Sequence, residues 1–449
     1  MTIENHDCAL DAAKGEPDIP DVAFSLTAEF GIGTATVATT PTHPTVSAIS
    51  ATTAVSAMAA APEPPAASAS TPAPEFAAPA AANDHAAEDR AAEMRGSAEE
   101  LVTAITDLLL PTAPPDWQQL RVGFSVTVAA VSGDAVFLVD GKPLPAEIPM
   151  AAVELVQALR MVTVRPDGSA WWHVTVVRDR TGTPRCEFGY GDVAFPVERL
   201  LPTAAYRADL EHFSRERLPV WLAGRLRVED DAQQLPRVLA RARLDRAPAT
   251  PVPFLTAPTV WARWATVAAA AVAIGTEWGP RILGSTAAFE GTDGSGSTLH
   301  LLPRGRAVLS GGLWNAPELA AAYNDGAPVP EYYAGVPDWL DGAALNHRAF
   351  TAQLSFCYWW DGTGWSSGQS PAPTTIGAAI PGLWTPATVV DIVCGVLGAS
   401  ASRPAVADLV AAAESGSVTR EQASAAFTTD EDTDVPGAWS QLAVAGLTR

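Results

Sequence analysis

The stretch WWHVTVVRDRTGTPRCEFGYGD, residues 171–192, constrains the fold more than any other part of the chain. On both sides of the turn DRTGTP apolar residues alternate with polar ones, which is the period of a β-strand with one buried face. Two such strands joined by a short turn form an antiparallel hairpin. We predict that the core face of this hairpin consists of Trp172, Val174, Val176, Cys186, Phe188 and Tyr190.

The opposite face of the hairpin is mixed in character. It carries Trp171, His173 and Thr175 on the first strand, and Arg185 and Glu187 on the second. Antiparallel sheets commonly leave one face wet, and an exposed tryptophan is a typical interface anchor. We therefore predict that Trp171, His173, Arg185 and Glu187 meet a partner protein, with a covering helix as the alternative.

Further strands and turns precede the hairpin. The alternation in RVGFSVTVAAV predicts a strand, and its apolar face consists of Val122, Phe124, Val126 and Val128. Turns are predicted at residues 132–134 and 140–141, where glycine accompanies serine or aspartate. The segment MVTVR, residues 161–165, is predicted to be another strand.

Three segments with helical periodicity surround these strands. The first, SAEELVTAITDLLLP, has Ser97 followed three residues later by Glu100, which is the pattern of a capping box. The others cover residues 150–160 and 202–226. Helices interspersed with hairpins favour an α+β domain in which helices cover an antiparallel sheet. We assign this domain to residues 97–228.

Residues 229–258 are predicted to be a helical and proline-rich linker, because a polar helical pattern gives way to PATPVPFLTAP. Four arginines within it form a small basic cluster: Arg237, Arg241, Arg243 and Arg246. A solvated helix face explains such a cluster, and contact with an acidic partner is the alternative.

Residues 259–449 are predicted to form a second α+β domain of unknown role. Its segment AFTAQLSFCYWWDGTGWSSG repeats the aromatic strand, glycine turn and polar return of the first hairpin. The two hairpins could reflect an internal duplication or the common recurrence of such strands. Trp359, Trp360 and Trp365 join the predicted partner-binding residues. Adjacent strand residues point to opposite faces, so one of Trp359 and Trp360 is expected in the core, and the other is either exposed as an interface anchor or covered by another element such as a helix.

Residues 1–96 are dominated by alanine, proline, serine, threonine and acidic residues. With so few aromatic side chains, burial of apolar surface cannot offset the conformational entropy that the segment would lose on folding. We therefore predict a disordered acidic tail. A docking or spacer role is the alternative to a segment without specific function.

The net charge of −22 excludes bulk binding to nucleic acid, because an acidic chain repels phosphate. The four cysteines lack the spacing of a zinc site, so we expect no metal, no cofactor and a reducing cytoplasm. The N-terminal segment lacks a signal pattern. The most apolar run, residues 264–275, is too short to span a membrane, which takes about 20 residues.

We find no known catalytic motif in the sequence. The loop GTDGSGS, residues 291–297, lacks the context of a phosphate-binding loop and is predicted to connect a hairpin. His173 is predicted to be a neutral sheet histidine, although a general base is the alternative. Asp338 and Asp341 are predicted to serve turns and caps. We therefore assign no catalytic residue.

The strand beginning at Trp171, the turn RDRTGTP and the strand CEFGYGD resemble the YezG-like family of small bacterial immunity proteins. The segments DWQQLRVGFSVTV and AVFLVDGKPLP are similar to the first hairpin of that family, so the resemblance covers about residues 97–225. It implies an α+β fold, no catalysis and tight binding to a cognate toxin.

The leading hypothesis is a non-enzymatic, immunity-like protein that neutralises or escorts a cognate toxin by steric occlusion. Its acidic surface would face a basic partner. A second hypothesis is an enzyme with a site around His300, His347 and the aromatic hairpin of the C-terminal domain. A third is a secretion-associated scaffold that acts through residues 1–95.

Overall fold

The computed structural model describes residues 96–193, 199–228, 234–276, 279–428 and 433–449. Apart from Gly96, the predicted disordered tail lies outside these residues. The described chain divides into two compact units. The first unit comprises residues 96–228 as far as they are described, together with Ala320–Ala327, and the second comprises the described residues of 234–319 and 328–449.

The first unit contains a five-stranded sheet in the order β3-β2-β1-β4-β5, with every neighbouring pair antiparallel. The strands are β1 (Gln119–Val126), β2 (Val131–Val139), β3 (Lys142–Ala146), β4 (His173–Asp179) and β5 (Arg185–Gly189). The helices are α1 (described over residues 96–109), α2 (Met150–Val162), α3 (Thr203–His212) and α4 (Val220–Val228).

One face of this sheet forms the core of the first unit. Val122 and Phe124 of β1 are fully buried there, together with Ile105 of α1 and Val156 of α2. Two helices therefore bury the apolar face of the sheet, as the alternating strands and the helical stripes predicted. Val128, which was predicted to share this face, lies beyond the end of β1 and is exposed.

The predicted turn at residues 132–134 is wrong, since β2 runs through these residues. The chain reverses earlier, where the backbone N–H of Thr127 donates to the carbonyl of Ala130. Gly133 lies opposite Phe124 in the ladder, and a Cβ atom there would come within 2.7 Å of the Phe124 ring. The glycine therefore makes room for a core aromatic ring. The predicted turn at residues 140–141 is confirmed, and both residues have positive φ.

Three other local predictions for this unit are wrong. Residues 161–162 are the end of helix α2, and residues 163–165 follow it without forming a strand. Ser97 lies inside α1, so it does not cap that helix. The single helix predicted over residues 202–226 is divided into α3 and α4, with Pro219 immediately before the second helix, because proline disrupts a helix interior.

The second unit contains a seven-stranded antiparallel sheet in the order β6-β12-β11-β10-β9-β8-β7. The strands are β6 (Thr250–Val252), β7 (Arg281–Leu283), β8 (Thr286–Glu290), β9 (Gly296–Leu302), β10 (Arg306–Gly312), β11 (Phe356–Trp360) and β12 (Trp365–Ser367). The helices are α5 (Gln234–Asp245), α6 (Ala257–Ala273), α7 (Pro317–Asn324, of which only residues 317–319 belong to this unit), α8 (Pro386–Leu397), α9 (Arg403–Glu414), α10 (Arg420–Phe427) and α11 (Val435–Val444).

Helix α6 is the central helix of the second unit. Its residues are buried along almost the whole length, and Trp264 packs in the core with Leu309 and Phe356 of the sheet. Helix α11, which was not predicted, packs on α6. Trp261 Nε1 of α6 donates a hydrogen bond to the carbonyl of Ala445, the residue directly after α11 (3.0 Å). Two antiparallel sheets with packed helices confirm the predicted α+β class.

The segment predicted as a linker contributes to the second unit. Strand β6 pairs with β12, and Val252 and Phe254 pack against the core of that unit. The proline-rich sequence did not reveal this strand, since Pro251 lies within it and Pro253 follows it. Strand β6 is an edge strand, the position in a sheet where proline is tolerated. In the described part of the chain, every helix is too short or too polar to cross a lipid bilayer.

Candidate binding surface

The second face of the five-stranded sheet is polar, and Arg199 lies across its centre. A Cβ atom at Gly123 would be closer than 3.0 Å to the Arg199 guanidinium, so the glycine in β1 lets this side chain rest on the backbone. The guanidinium forms a bidentate pair with Asp134 of β2, with distances of 2.7 and 2.8 Å. Paired hydrogen bonds of this kind fix orientation as well as charge. We call this face the open face.

His173 lies beside this pair and is buried. Its Nε2 atom is 3.2 Å from Arg199 Nη1 and 3.2 Å from Thr175 Oγ1. Burial, and then the positive charge of Arg199, lowers the pKa of His173 to about 4. The imidazole is therefore neutral at pH 7, where Nε2 accepts a hydrogen bond from the arginine. This agrees with the predicted neutral sheet histidine.

The outer part of the open face is exposed. The Nη2 atom of Arg185 on β5 is 3.5 Å from the Oδ2 atom of Asp179 on β4, and both side chains are more than half exposed. Gln119 of β1 donates to the same carboxylate at 2.8 Å. Glu187 is also exposed on β5. Of the predicted partner-binding residues in the first hairpin, Arg185 and Glu187 thus present their charges to the surface.

Trp171 lies in the core and not on the open face. It is fully buried, its ring stacks on Phe188 with centroids 5.4 Å apart, and its Nε1 donates to Thr163 Oγ1 at 2.7 Å. Regular pairing of β4 starts only at His173, and the N–H of Trp172 donates to the carbonyl of Gly189. The parity argument fails at the two tryptophans because they precede the regular strand.

Trp172 is buried as predicted, but its ring contacts residues outside the predicted core face of the hairpin. Its ring meets Tyr206 and Trp221 edge-on, and the Arg215 guanidinium lies 3.5 Å from its centroid. Cys186, predicted on the core face, is exposed because β5 is the last strand of the sheet. Phe188 and Tyr190 of the same predicted face are only partly buried.

Sequence reasoning missed a buried ion pair between Arg160 and Asp209. The guanidinium donates to both carboxylate oxygens at 2.8 and 2.7 Å, and to the Trp171 carbonyl at 2.7 Å. The carboxylate also accepts from Trp172 Nε1 and from the backbone N–H of Val128. This network ties α2, α3 and the two tryptophans together, and all its polar atoms have structural partners.

The aromatic hairpin of the second unit is also buried. Trp359, Trp360 and Trp365 are 4%, 8% and 3% exposed, so none presents a broad surface to a partner. Trp360 and Trp365 pack on each other with centroids 5.6 Å apart, and Trp365 Nε1 donates to the Leu255 carbonyl. These three tryptophans are therefore covered, which was the alternative to exposure on a binding surface.

The histidines proposed for an enzymatic site have separate surroundings. His300 on β9 contacts Thr286 Oγ1 through Nδ1 at 3.0 Å. His347 is exposed in a short 3-10 turn, next to Arg348, which is buried and forms a bidentate pair with Glu290. Partial desolvation lowers the pKa of both histidines, and at His347, whose side chain also meets solvent, the positive charge of Arg348 adds to the lowering.

Two polar motifs of the second unit have structural roles. The loop at residues 291–295 connects β8 and β9, where Asp293 accepts hydrogen bonds from the backbone and side chain of Ser295. The predicted hairpin is thereby confirmed. Asp341 caps a 3-10 turn by accepting from the N–H of Ala343, as predicted. Among the described residues, no cluster of three or more potential metal ligands occurs.

No family model matches the chain, and no curated protein matches it. The resemblance of residues 97–225 to the YezG-like immunity proteins therefore has no support from these comparisons and stays a prediction.

Proposed function

We propose that this chain is a non-enzymatic, immunity-like protein that binds a cognate protein toxin and neutralises or escorts it by steric occlusion. The open face supports this proposal. It places exposed charged side chains on a rigid sheet, whose opposite face is the packed core. Rigid elements hold a binding surface more accurately than loops do.

The charge of the chain indicates the chemistry of the partner. A net charge of −22 favours encounter with a basic protein, because complementary potentials raise association rates and disfavour acidic partners. Asp134, Asp179 and Glu187 contribute acidic groups to the open face or its edge, and Arg185 and Arg199 are held beside them. The face would therefore recognise a basic surface that also carries hydrogen-bond acceptors.

The proposal is tested with the full chain and the proteins encoded beside its gene. Each neighbour is produced alone and together with the chain, and growth inhibition and binding to the purified chain are measured. We expect one basic neighbour to inhibit growth, and the chain to bind it and to relieve the inhibition. A toxic neighbour that is neither bound nor neutralised would overturn the proposal.

Two matched variants test whether the toxin binds at the open face. Asp179→Lys reverses a half-exposed charge on the open face, and Asp408→Lys reverses an exposed charge on α9. We expect Asp179→Lys to slow association with the toxin about tenfold at low salt, and Asp408→Lys to leave the rate nearly unchanged. Equal effects of the two variants would contradict the assignment to the open face.

A further inference from the structure

The two edges of the five-stranded sheet differ in chemistry. At one edge, β3 has the sequence KPLPA, in which Pro143 and Pro145 lack the N–H groups that another strand would need. Proline and lysine are common means of blocking an edge strand. At the other edge, β5 has the sequence RCEFG without proline. The sheet order given by the described residues ends at this strand.

Strand β5 is accessible along its first half. Arg185, Cys186 and Glu187 are all exposed, whereas Phe188 and Gly189 are partly buried. Because side chains alternate along a strand, Arg185 and Glu187 point to one face and Cys186 to the other. The two opposite charges therefore flank Cys186 symmetrically on one side of an edge strand.

We propose that two copies of this chain pair antiparallel through β5, about a two-fold axis that passes at Cys186. In this register Arg185 of each copy lies opposite Glu187 of the second copy, so that one sequence supplies two opposite-charge pairs. Residues directly opposite on antiparallel strands are close enough for such pairs to interact. A two-fold axis requires this self-complementarity of an interface.

The other side of the paired strands is compatible with the same register. Cys186 faces Cys186 of the second copy, and Phe188 faces Pro184 of the second copy. Both contacts are apolar, and Phe188 and Pro184 are each only partly buried in a single chain. Pro184 lies just before β5, so its missing N–H falls at the end of the new ladder and not at its centre.

The ion pair within one chain does not compete strongly with this arrangement. Arg185 is 3.5 Å from Asp179, but the two side chains are 73% and 52% exposed. Exposed pairs of this kind contribute little free energy. The guanidinium can therefore meet a second carboxylate on the outer side of β5 while Asp179 stays on its inner side.

Sedimentation of the purified full chain, without any partner, tests the proposal. We expect a concentration-dependent dimer. Arg185→Glu and Glu187→Arg each place like charges opposite each other twice, so each should raise the dissociation constant about tenfold or more. The double variant Arg185→Glu/Glu187→Arg restores opposite charges and should return the constant to within about threefold of the original.

A matched control comes from an exposed ion pair elsewhere. Arg241 and Asp245 pair on α5 at 2.7 Å, and Arg241→Glu should leave dimerisation unchanged. A monomeric parent chain, a dimer that survives both single changes, or a double variant that stays monomeric would each overturn the proposal. Circular dichroism of each variant checks that the fold is retained.

Cross-linking provides an independent measurement of the register. In a background with Cys8→Ser and Cys394→Ser, Cys186 is exposed and Cys357 is buried. A short bismaleimide should then give a covalent dimer, which the further change Cys186→Ser should abolish. A dimer in solution without cross-linking at Cys186 would contradict the proposed axis. Because no toxin takes part, these results are independent of the proposed neutralising function.

Discussion

Arg160 and Asp209 form a bidentate ion pair in which both side chains are buried, 3% and 1% exposed. The pair joins α2 to α3 across 49 positions of the sequence, and its remaining hydrogen bonds go to Trp171, Trp172 and Val128. The network therefore fixes the two tryptophans that open the first hairpin.

Removing one member of this pair should destabilise the protein strongly. Asp209→Ala leaves the Arg160 charge buried without its counter-ion, and we expect the free energy of unfolding to fall by about 3–5 kcal/mol. Asp179→Ala, which removes a half-exposed carboxylate, should cost less than about 1 kcal/mol. Chemical denaturation of both variants measures the two losses in free energy of unfolding. Equal losses would show that burial of the Arg160–Asp209 pair does not determine how much it contributes to stability.

The first hairpin shows how far sequence patterns predicted this structure. Alternation placed Val174 and Val176 on the core face correctly, because regular ladder pairing keeps the period of two. It failed at Trp171, where pairing is not yet regular. The Arg160–Asp209 contact could not be predicted from either local pattern, because each residue lies in a separate helix and only tertiary packing brings them together.

His173 should make stability depend on pH. Its pKa is about 4 in the folded protein, below the ordinary value of 6.5, so the unfolded chain binds more protons between these two values. Stability is therefore fully present above about pH 6.5 and declines as the pH falls towards 4. Between pH 7 and pH 5 we expect His173 to account for a loss of about 2 kcal/mol.

The variant His173→Gln isolates this contribution. Its free energy of unfolding should fall less between pH 7 and pH 5 than that of the parent chain, by about the same 2 kcal/mol. Parallel denaturation curves at the two pH values provide the comparison. Identical pH dependence in the two proteins would contradict the lowered pKa of His173.

Arg199 should be one cause of that lowered pKa. Its guanidinium is 3.2 Å from the imidazole, and Arg199→Met removes the nearby positive charge while it keeps a long side chain over Gly123. Asp134 then remains, and its charge raises the pKa of His173. NMR titration of the imidazole should show a higher midpoint in this variant. Arg185→Met, at the exposed edge of the sheet, is the control, and an equal shift there would argue against a direct effect.

Two cysteines in the described part of the chain, Cys186 and Cys357, should differ in reactivity. Cys186 is exposed, and although partial desolvation and then Glu99 raise the pKa of its thiol, reagents can reach it. Cys357 lies in the interior strand β11, where burial raises the thiol pKa strongly and excludes reagents. Labelling with a maleimide at pH 8, followed by mass spectrometry, should modify Cys186 in the native protein and Cys357 only after denaturation. Native labelling of Cys357 at the rate of Cys186 would contradict the packing of β11 and, with it, the buried position of the aromatic hairpin.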